Sequence, residues 1–222
     1  MAINAAEEET IEALKKWWEE NGKQLMLAVV VIVGGYGGWT FWQNSQIAQS
    51  NAASDLYEEI LVLVNTDPAA TVNGANAQPI IDLAMELRQE HGTTSYSRFA
   101  ALFAAQQQVL GSDLEAAEES LRWILDNPRE GLLVSPDIGL QLTTTLRLGR
   151  VLLAKGDNEA ALVVATSIAP EDFEAGFAEL QGDIYLALGR TLEARESYQA
   201  AQQVGSSSDG LRMKLDNLAD DS

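Results

Sequence analysis

Few side chains in this sequence could do bond-making chemistry. His91 is the only histidine, and there is no cysteine. Thiol nucleophiles, thiolate metal sites and disulfides are therefore excluded. His91 stands at the end of a predicted helix, beside Gly92, where a cation suits the helix dipole. Asp and Glu number 33, but they are scattered over surface positions of predicted helices. Glu118-Glu119 and Glu171-Asp172 read as solvated faces or helix starts. No glycine-rich loop follows a strand pattern, and no ligand spacing suits a metal. The expectation is a non-catalytic protein without cofactor or metal.

The chemistry that remains is recognition. Three candidate helical pairs each present a mixture of Arg, carboxylate and apolar groups on their first helix. In the first pair these are Arg98, Ala101, Ala105 and Gln108. In the second they are Thr143, Leu146, Arg150 and Leu153, and in the third Glu179, Asp183 and Leu186. Lining one concave surface, such side chains could hold a peptide or a partner helix. Ordinary solvent-facing polarity is the alternative for any one of them.

The elements that would position these residues repeat. Gly111 to Ala117, Gly156 to Ala161 and Gly189 to Ala194 are glycine turns followed by acidic and alanine residues. Aligned on their glycines, the first two turns lie 45 residues apart and the last two 33. Residues 129–140, with Pro136, then form an insertion. Paired helices with a period near 34 are the tetratricopeptide pattern. The third pair fits best, with Gly182 where helices cross, Gly189 at the turn, and Tyr198 and Ala201 filling the second helix. The second has Ala165 where a large residue is usual. In the first, Ala104 and Gln107 stand at the positions of Gly149 and Leu152. An unrelated helical bundle is the competing architecture. Leu211, Leu215 and Leu218 follow the turn 205–210 as a helix able to cap the last repeat.

Upstream, residues 44–65 read as helix, stopped by Asp67-Pro68. Residues 69–78 read as a loop, and Pro79 opens a helix over residues 80–90 with Ile80, Ile81, Ala84 and Leu87 inward. Before these comes Leu25–Trp42, eighteen residues without charge. As a helix it would be about 27 Å long, near the thickness of a bilayer core. A cleaved signal fits poorly, because a long, net-acidic stretch of 24 residues precedes it and no small-x-small site closely follows. A buried helix would be weakened by Gly34, Gly35, Gly37 and Gly38. A transmembrane anchor suits Leu25 and Val31 in the apolar core, with Tyr36, Trp39 and Trp42 as an interfacial belt. Lys15, Lys16 and Lys23 would keep the N-terminus cytoplasmic and send the bulk of the chain across. In a bacterium that places it in the periplasm. Residues 7–21 read as a separate amphipathic helix through Ile11, Leu14 and Trp18, stopped by Asn21-Gly22. The expected domains are a cytoplasmic segment 1–24, an anchor 25–44 and a periplasmic repeat domain 45–222. From residue 45 onward, 11 Lys and Arg face 27 Asp and Glu, a net charge of −16. That field repels phosphate backbones and argues against nucleic acid.

The order Ala13 to Lys23, a Gly-rich apolar helix, then Trp39-Thr40-Phe41-Trp42, with tetratricopeptide-like repeats behind it, resembles the YfgM-like ancillary subunit family of the bacterial Sec translocon. The motifs are sharpest over residues 10–45. The resemblance implies an all-α inner-membrane protein with one N-terminal transmembrane helix and a periplasmic helical-hairpin solenoid ending in a capping helix. It implies association with Sec translocon subunits, with a membrane-anchored periplasmic chaperone of the peptidyl-prolyl-isomerase type, and with emerging secretory proteins. It also implies a link to envelope stress signalling, for which the cytoplasmic N-terminal segment is the alternative working part.

Overall fold

A computed structural model describes residues 2–66, 74, 76–92, 94–128, 136–206 and 208–220, without the side chains of 2–8, 46, 66, 219 and 220. Among the described residues the ordered elements are helical. They are α1 (Ala2–Thr66), α2 (Ala77–His91), α3 (Ser95–Leu110), α4 (Leu114–Asp126), α5 (Ile138–Lys155), α6 (Asn158–Thr166), α7 (Glu174–Ala187), α8 (Thr191–Gln203) and α9 (Asp209–Asp220). A short 3-10 turn, Glu171–Phe173, precedes α7. The chain divides into two compact units, Met1–Asn51 and Ala52–Ser222.

In the first unit α1 runs unbroken through Asn21-Gly22, where a stop was expected. Gly22 is buried under the Trp18 indole, and a Cβ there would lie 3.2 Å from its ring. The small residue thus serves the helix as a seat for the aromatic one turn before it. Among the described residues α1 is the one helix long and apolar enough to cross a membrane. Leu25, Val31, Tyr36, Trp39 and Trp42 are all exposed, so the chain buries none of this stretch as a soluble core helix would be buried. Thr40 turns its hydroxyl inward to donate to the Gly37 carbonyl (3.0 Å), which satisfies a polar group without water.

The second unit is built from pairs. Ala53 and Ile60 at the end of α1 share a core with Ile80, Ala84 and Leu87 of α2 and Ala100 and Ala104 of α3. Helix α2 begins two residues before Pro79, which is tolerated because the first turn's N–H groups need no intrahelical acceptor. The loop expected at 69–78 and the insertion at 129–140 lie largely outside the described residues, as do Asp67-Pro68 and Ser207. Helices α3–α4, α5–α6 and α7–α8 are the three hairpins, and α9 caps them. Leu211 and Leu218 of α9 are buried with Ala194, Tyr198 and Ala201 of α8.

One backbone device closes every hairpin. A residue with positive φ ends the first helix, and the next N–H reaches back five residues. Asp113 N–H donates to Gln108 (2.8 Å), Asp157 to Leu152 (2.9 Å) and Arg190 to Tyr185 (2.8 Å). The positive-φ residues are Ser112 (62°), Gly156 (86°) and Gly189 (75°). This is the left-handed C-terminal cap that glycine normally fills. In the first hairpin it falls on Ser112, one residue after Gly111.

That offset corrects the alignment of the first repeat by one residue. The turns lie 44 and 33 positions apart, and Ala117, Ala161 and Ala194 then coincide, each fully buried. Arg98 falls opposite Leu142, and both are buried. Gln107 falls opposite Val151, Ala105 opposite Gly149 and Gln108 opposite Leu152. The first-pair positions matching Thr143, Leu146, Arg150 and Leu153 are Phe99, Leu102, Gln106 and Val109.

Candidate binding site

The first helices of successive hairpins meet along two seams, and the seams differ. Between α5 and α7 the fit is close. A Cβ on Gly149 would stand 2.6 Å from Leu180 Cδ2, and one on Gly176 would stand 3.1 Å from Leu146 Cδ2. Ala165 stands one 33-residue repeat before Tyr198, and over Gly149 it is Leu180 of the next hairpin that supplies the large group. In the last hairpin the same role is played from within, where a Cβ on Gly182 would lie 2.3 Å from the Tyr198 ring.

Between α3 and α5 the seam is open and holds a cavity of about 300 Å³. Its floor is Leu121 and Leu114 of α4. One wall is Val109 and Leu110 of α3, and the other is Val151 and Ala154 of α5. Gln106, Arg147 and Arg150 supply the polar groups. The Arg147 Nη1 reaches across to the Leu102 carbonyl at 3.5 Å, the outer limit of a hydrogen bond. Burial first, and the neighbouring Arg150 second, hold the Arg147 guanidinium below its usual pKa. Its ordinary value is so high that it stays charged.

Behind the cavity, α4 and α5 are clamped by ions. Lys155 Nζ lies 2.7 Å from Glu118 Oε2, and Arg122 Nε lies 2.7 Å from Glu118 Oε1. Glu118 was expected on a solvated face. Its side chain is instead 18% exposed, and the hydrogen bonds from Lys155 and then Arg122 hold its carboxyl below the usual range. Glu119, beside it, is 78% exposed and approaches Arg88 at 3.8 Å.

The residues expected to line a groove therefore scatter. Arg150 faces the cavity. Thr143 is half-buried on α5, and Leu146 is buried beneath Gly176. Arg98 is buried within α3. Gln108 turns to its own hairpin partner, accepting from Ser120 Oγ at 2.9 Å. Glu179 and Asp183 are engaged by Lys214 of the capping helix at 2.8 and 2.7 Å, and Asp183 also accepts from the Tyr198 hydroxyl at 2.7 Å. Gln106, Val109 and Arg147 line the cavity but lie off the stripe that the glycine spacing predicts. Aligning the buried alanines instead of the glycines would have found the first two. Arg147 follows the expected Leu146 and is reachable only with the cavity in view.

His91 is half-buried at the end of α2. Among the described residues no three His, Asp or Glu side chains gather closely enough to hold a metal. The arrangement can bind a segment of another molecule, with apolar contact below and two guanidiniums at the side.

Residues 15–220 match a family model described as "Tetratricopeptide repeat-like domain". The chain is similar to proteins named "Ancillary SecYEG translocon subunit". One from Haemophilus influenzae is 34% identical over 220 residues, covering 98% of this chain and 100% of the relative. One from Neisseria gonorrhoeae is 30% identical, covering 98% and 100%. One from Escherichia coli is 28% identical, covering 99% and 100%. No solved structure matches.

Proposed function

The chain belongs to the ancillary SecYEG translocon subunit family, with its tetratricopeptide repeat-like domain, and from that premise we propose that it is a non-catalytic adaptor anchored beside the Sec translocon. Its α1 helix fits an inner-membrane protein. In this reading residues 1–24 are cytoplasmic, 25–44 span the membrane and 45–222 lie in the periplasm. The orientation rests on Lys15, Lys16 and Lys23, since basic residues flank the span on that side alone and none follows until Arg88. The partners are Sec translocon subunits, a membrane-anchored periplasmic chaperone of the peptidyl-prolyl-isomerase type, and emerging secretory chains.

The observation that carries the reading is the open seam between α3 and α5. It is an uncovered apolar cavity on a repeat array that is otherwise closely packed at the matching α5–α7 seam. Tethering such an array at one exit raises its effective concentration for any chain that passes, without a new contact.

A photo-crosslinker at Trp42 or at Gln106, in native membranes, tests this. Trp42 is expected to capture a channel subunit, and Gln106 a chaperone or a translocating chain. If both positions yield only uncrosslinked protein, the adaptor reading fails.

A further inference from the structure

The cavity between α3 and α5 is also the place where this acidic unit turns positive. Arg147 and Arg150 stand three residues apart on α5, so their side chains are neighbours on one helix face. Among the described residues no carboxylate lies within 4.0 Å of either. Six other cations of this unit, Arg88, Arg122, Lys155, Arg190, Arg212 and Lys214, each meet an Asp or Glu, and Arg195 donates to the Leu218 carbonyl. Two like charges have thus been left side by side, next to apolar walls, in a segment whose net charge is −16.

We propose that this cavity seats an acidic, apolar segment of a partner polypeptide, which inserts a large apolar side chain against Val109, Leu121 and Val151 and places a carboxylate on Arg147 and Arg150. The proposal rests on the adaptor reading, which supplies a polypeptide partner but not its chemistry. A cavity of about 300 Å³ is at the small end of binding sites, suited to one or two side chains and not to a folded element. An arriving carboxylate removes the repulsion between the two guanidiniums and accepts from them in the planar geometry that Arg favours. The surrounding negative field repels an acidic chain everywhere else, so the contact is selective in position. The same field disfavours an anionic bilayer, which would meet the whole charged unit at once, whereas a single carboxylate meets only the cavity.

The test uses the full-length protein in phosphatidylcholine nanodiscs and a library of Phe-centred nonapeptides. The Phe is flanked by Glu and Asp, by Gln and Asn, or by Lys and Arg. The acidic set is expected to be enriched, and Arg147→Gln/Arg150→Gln to weaken its binding by about 10-fold or more, the scale of a lost charge-assisted hydrogen bond. Ala154→Trp, which fills the cavity and keeps both arginines, should weaken it as well. Equal retention of the neutral set, or acidic binding untouched by either variant, overturns the proposal. Displacement of the peptides by phosphatidylglycerol vesicles at low lipid also overturns it, by assigning the arginines to a lipid headgroup. Co-purification of Sec subunits with the wild type is scored in parallel. If it persists while the acidic set fails, the cavity's ligand is wrong and the adaptor reading stands. If it fails too, both fall.

Discussion

The seam between α5 and α7 and the seam between α3 and α5 are made by the same kind of helix, yet one is sealed and the other gapes. At the sealed seam a glycine faces a leucine in each direction, Gly149 under Leu180 and Gly176 over Leu146. At the open seam Ala105 takes the place of Gly149, and the cavity lies where side chains would otherwise interlock. The turns before the two seams also differ in spacing, 44 residues against 33. A repeat array can keep its hairpins intact and still open a binding site by relaxing one interface between them, because each repeat packs only on its neighbours.

The sharpest way to break this comparison is at Leu180, which is 2% exposed. Leu180→Ala should destabilise the second unit by about 3 kcal/mol, through lost burial and the cavity left behind. Gly149→Ala should cost about 1–2 kcal/mol, since its Cβ displaces only the flexible end of Leu180. The double variant should lose about 1 kcal/mol less than the sum, because the new methyl enters the hole that the leucine vacates. The same bulk added to the open seam, as Ala154→Leu, should change stability by no more than about 0.5 kcal/mol. Denaturant unfolding of the four variants measures all of this. Additive losses at Gly149 and Leu180 would show that the two do not seal the seam together.

Much of this was legible in the sequence where a contact sits inside one hairpin. Gly182 and Tyr198 lie at a fixed separation, so the small and large partners announce each other, and the leucines of α9 do the same for the cap. Contacts between hairpins have no fixed separation. Nothing near Gly149 points to Leu180, and Ala165 looked like a defect. The sequence pattern sets the first repeat off by one residue because Gly111 is the natural anchor for a turn, whereas the backbone uses Ser112. That single step moved Arg98 and Gln108 from an expected groove into the hairpin and brought Gln106 and Val109 out of it. Asn21-Gly22 carried a stop signal that the packing of Trp18 overrode, and Glu118 carried no mark of the lysine 37 residues away that engages it.

That lysine gives the packing of α4 on α5 a pH signature that the contacts of the sealed seam lack. Glu118 is held below the usual carboxylate range by Lys155 and then Arg122. A carboxyl with a lowered folded pKa adds stability that is full above its unfolded pKa, about 4.3. That stability is lost as pH falls through the folded pKa. Glu118→Gln should therefore cost about 1 kcal/mol near neutral pH, a partly buried pair being worth somewhat more than an exposed one. Wild type and variant should converge in stability in acid below that range. Parallel curves across the whole acid limb would mean that Glu118 does not clamp α4 to α5. The Gly149–Leu180 and Gly176–Leu146 contacts involve no titrating group, so Leu180→Ala should keep its deficit across the same pH range.

Effects of about 1 kcal/mol or less fall on the turns, where the two seams part company in register. Ser112 holds a left-handed conformation (φ 62°) that costs an L-residue about 1 kcal/mol, whereas Gly156 holds the equivalent place at no such cost. Ser112→Gly relieves that strain but adds freedom to the unfolded chain. The net expectation is a gain of about 0.5 kcal/mol. Gly156→Ala meets the strain without relief and should lose about 1 kcal/mol. Gly111→Ala should lose far less, because Gly111 has φ −78° and its Cβ would make ordinary contact at 3.4 Å. If Gly111→Ala proved the costlier change, the first repeat would be anchored on its glycine after all. The cavity-facing stripe would then return to Arg98 and Gln108, and the open seam would need another explanation than a one-residue shift in the helix that forms its wall.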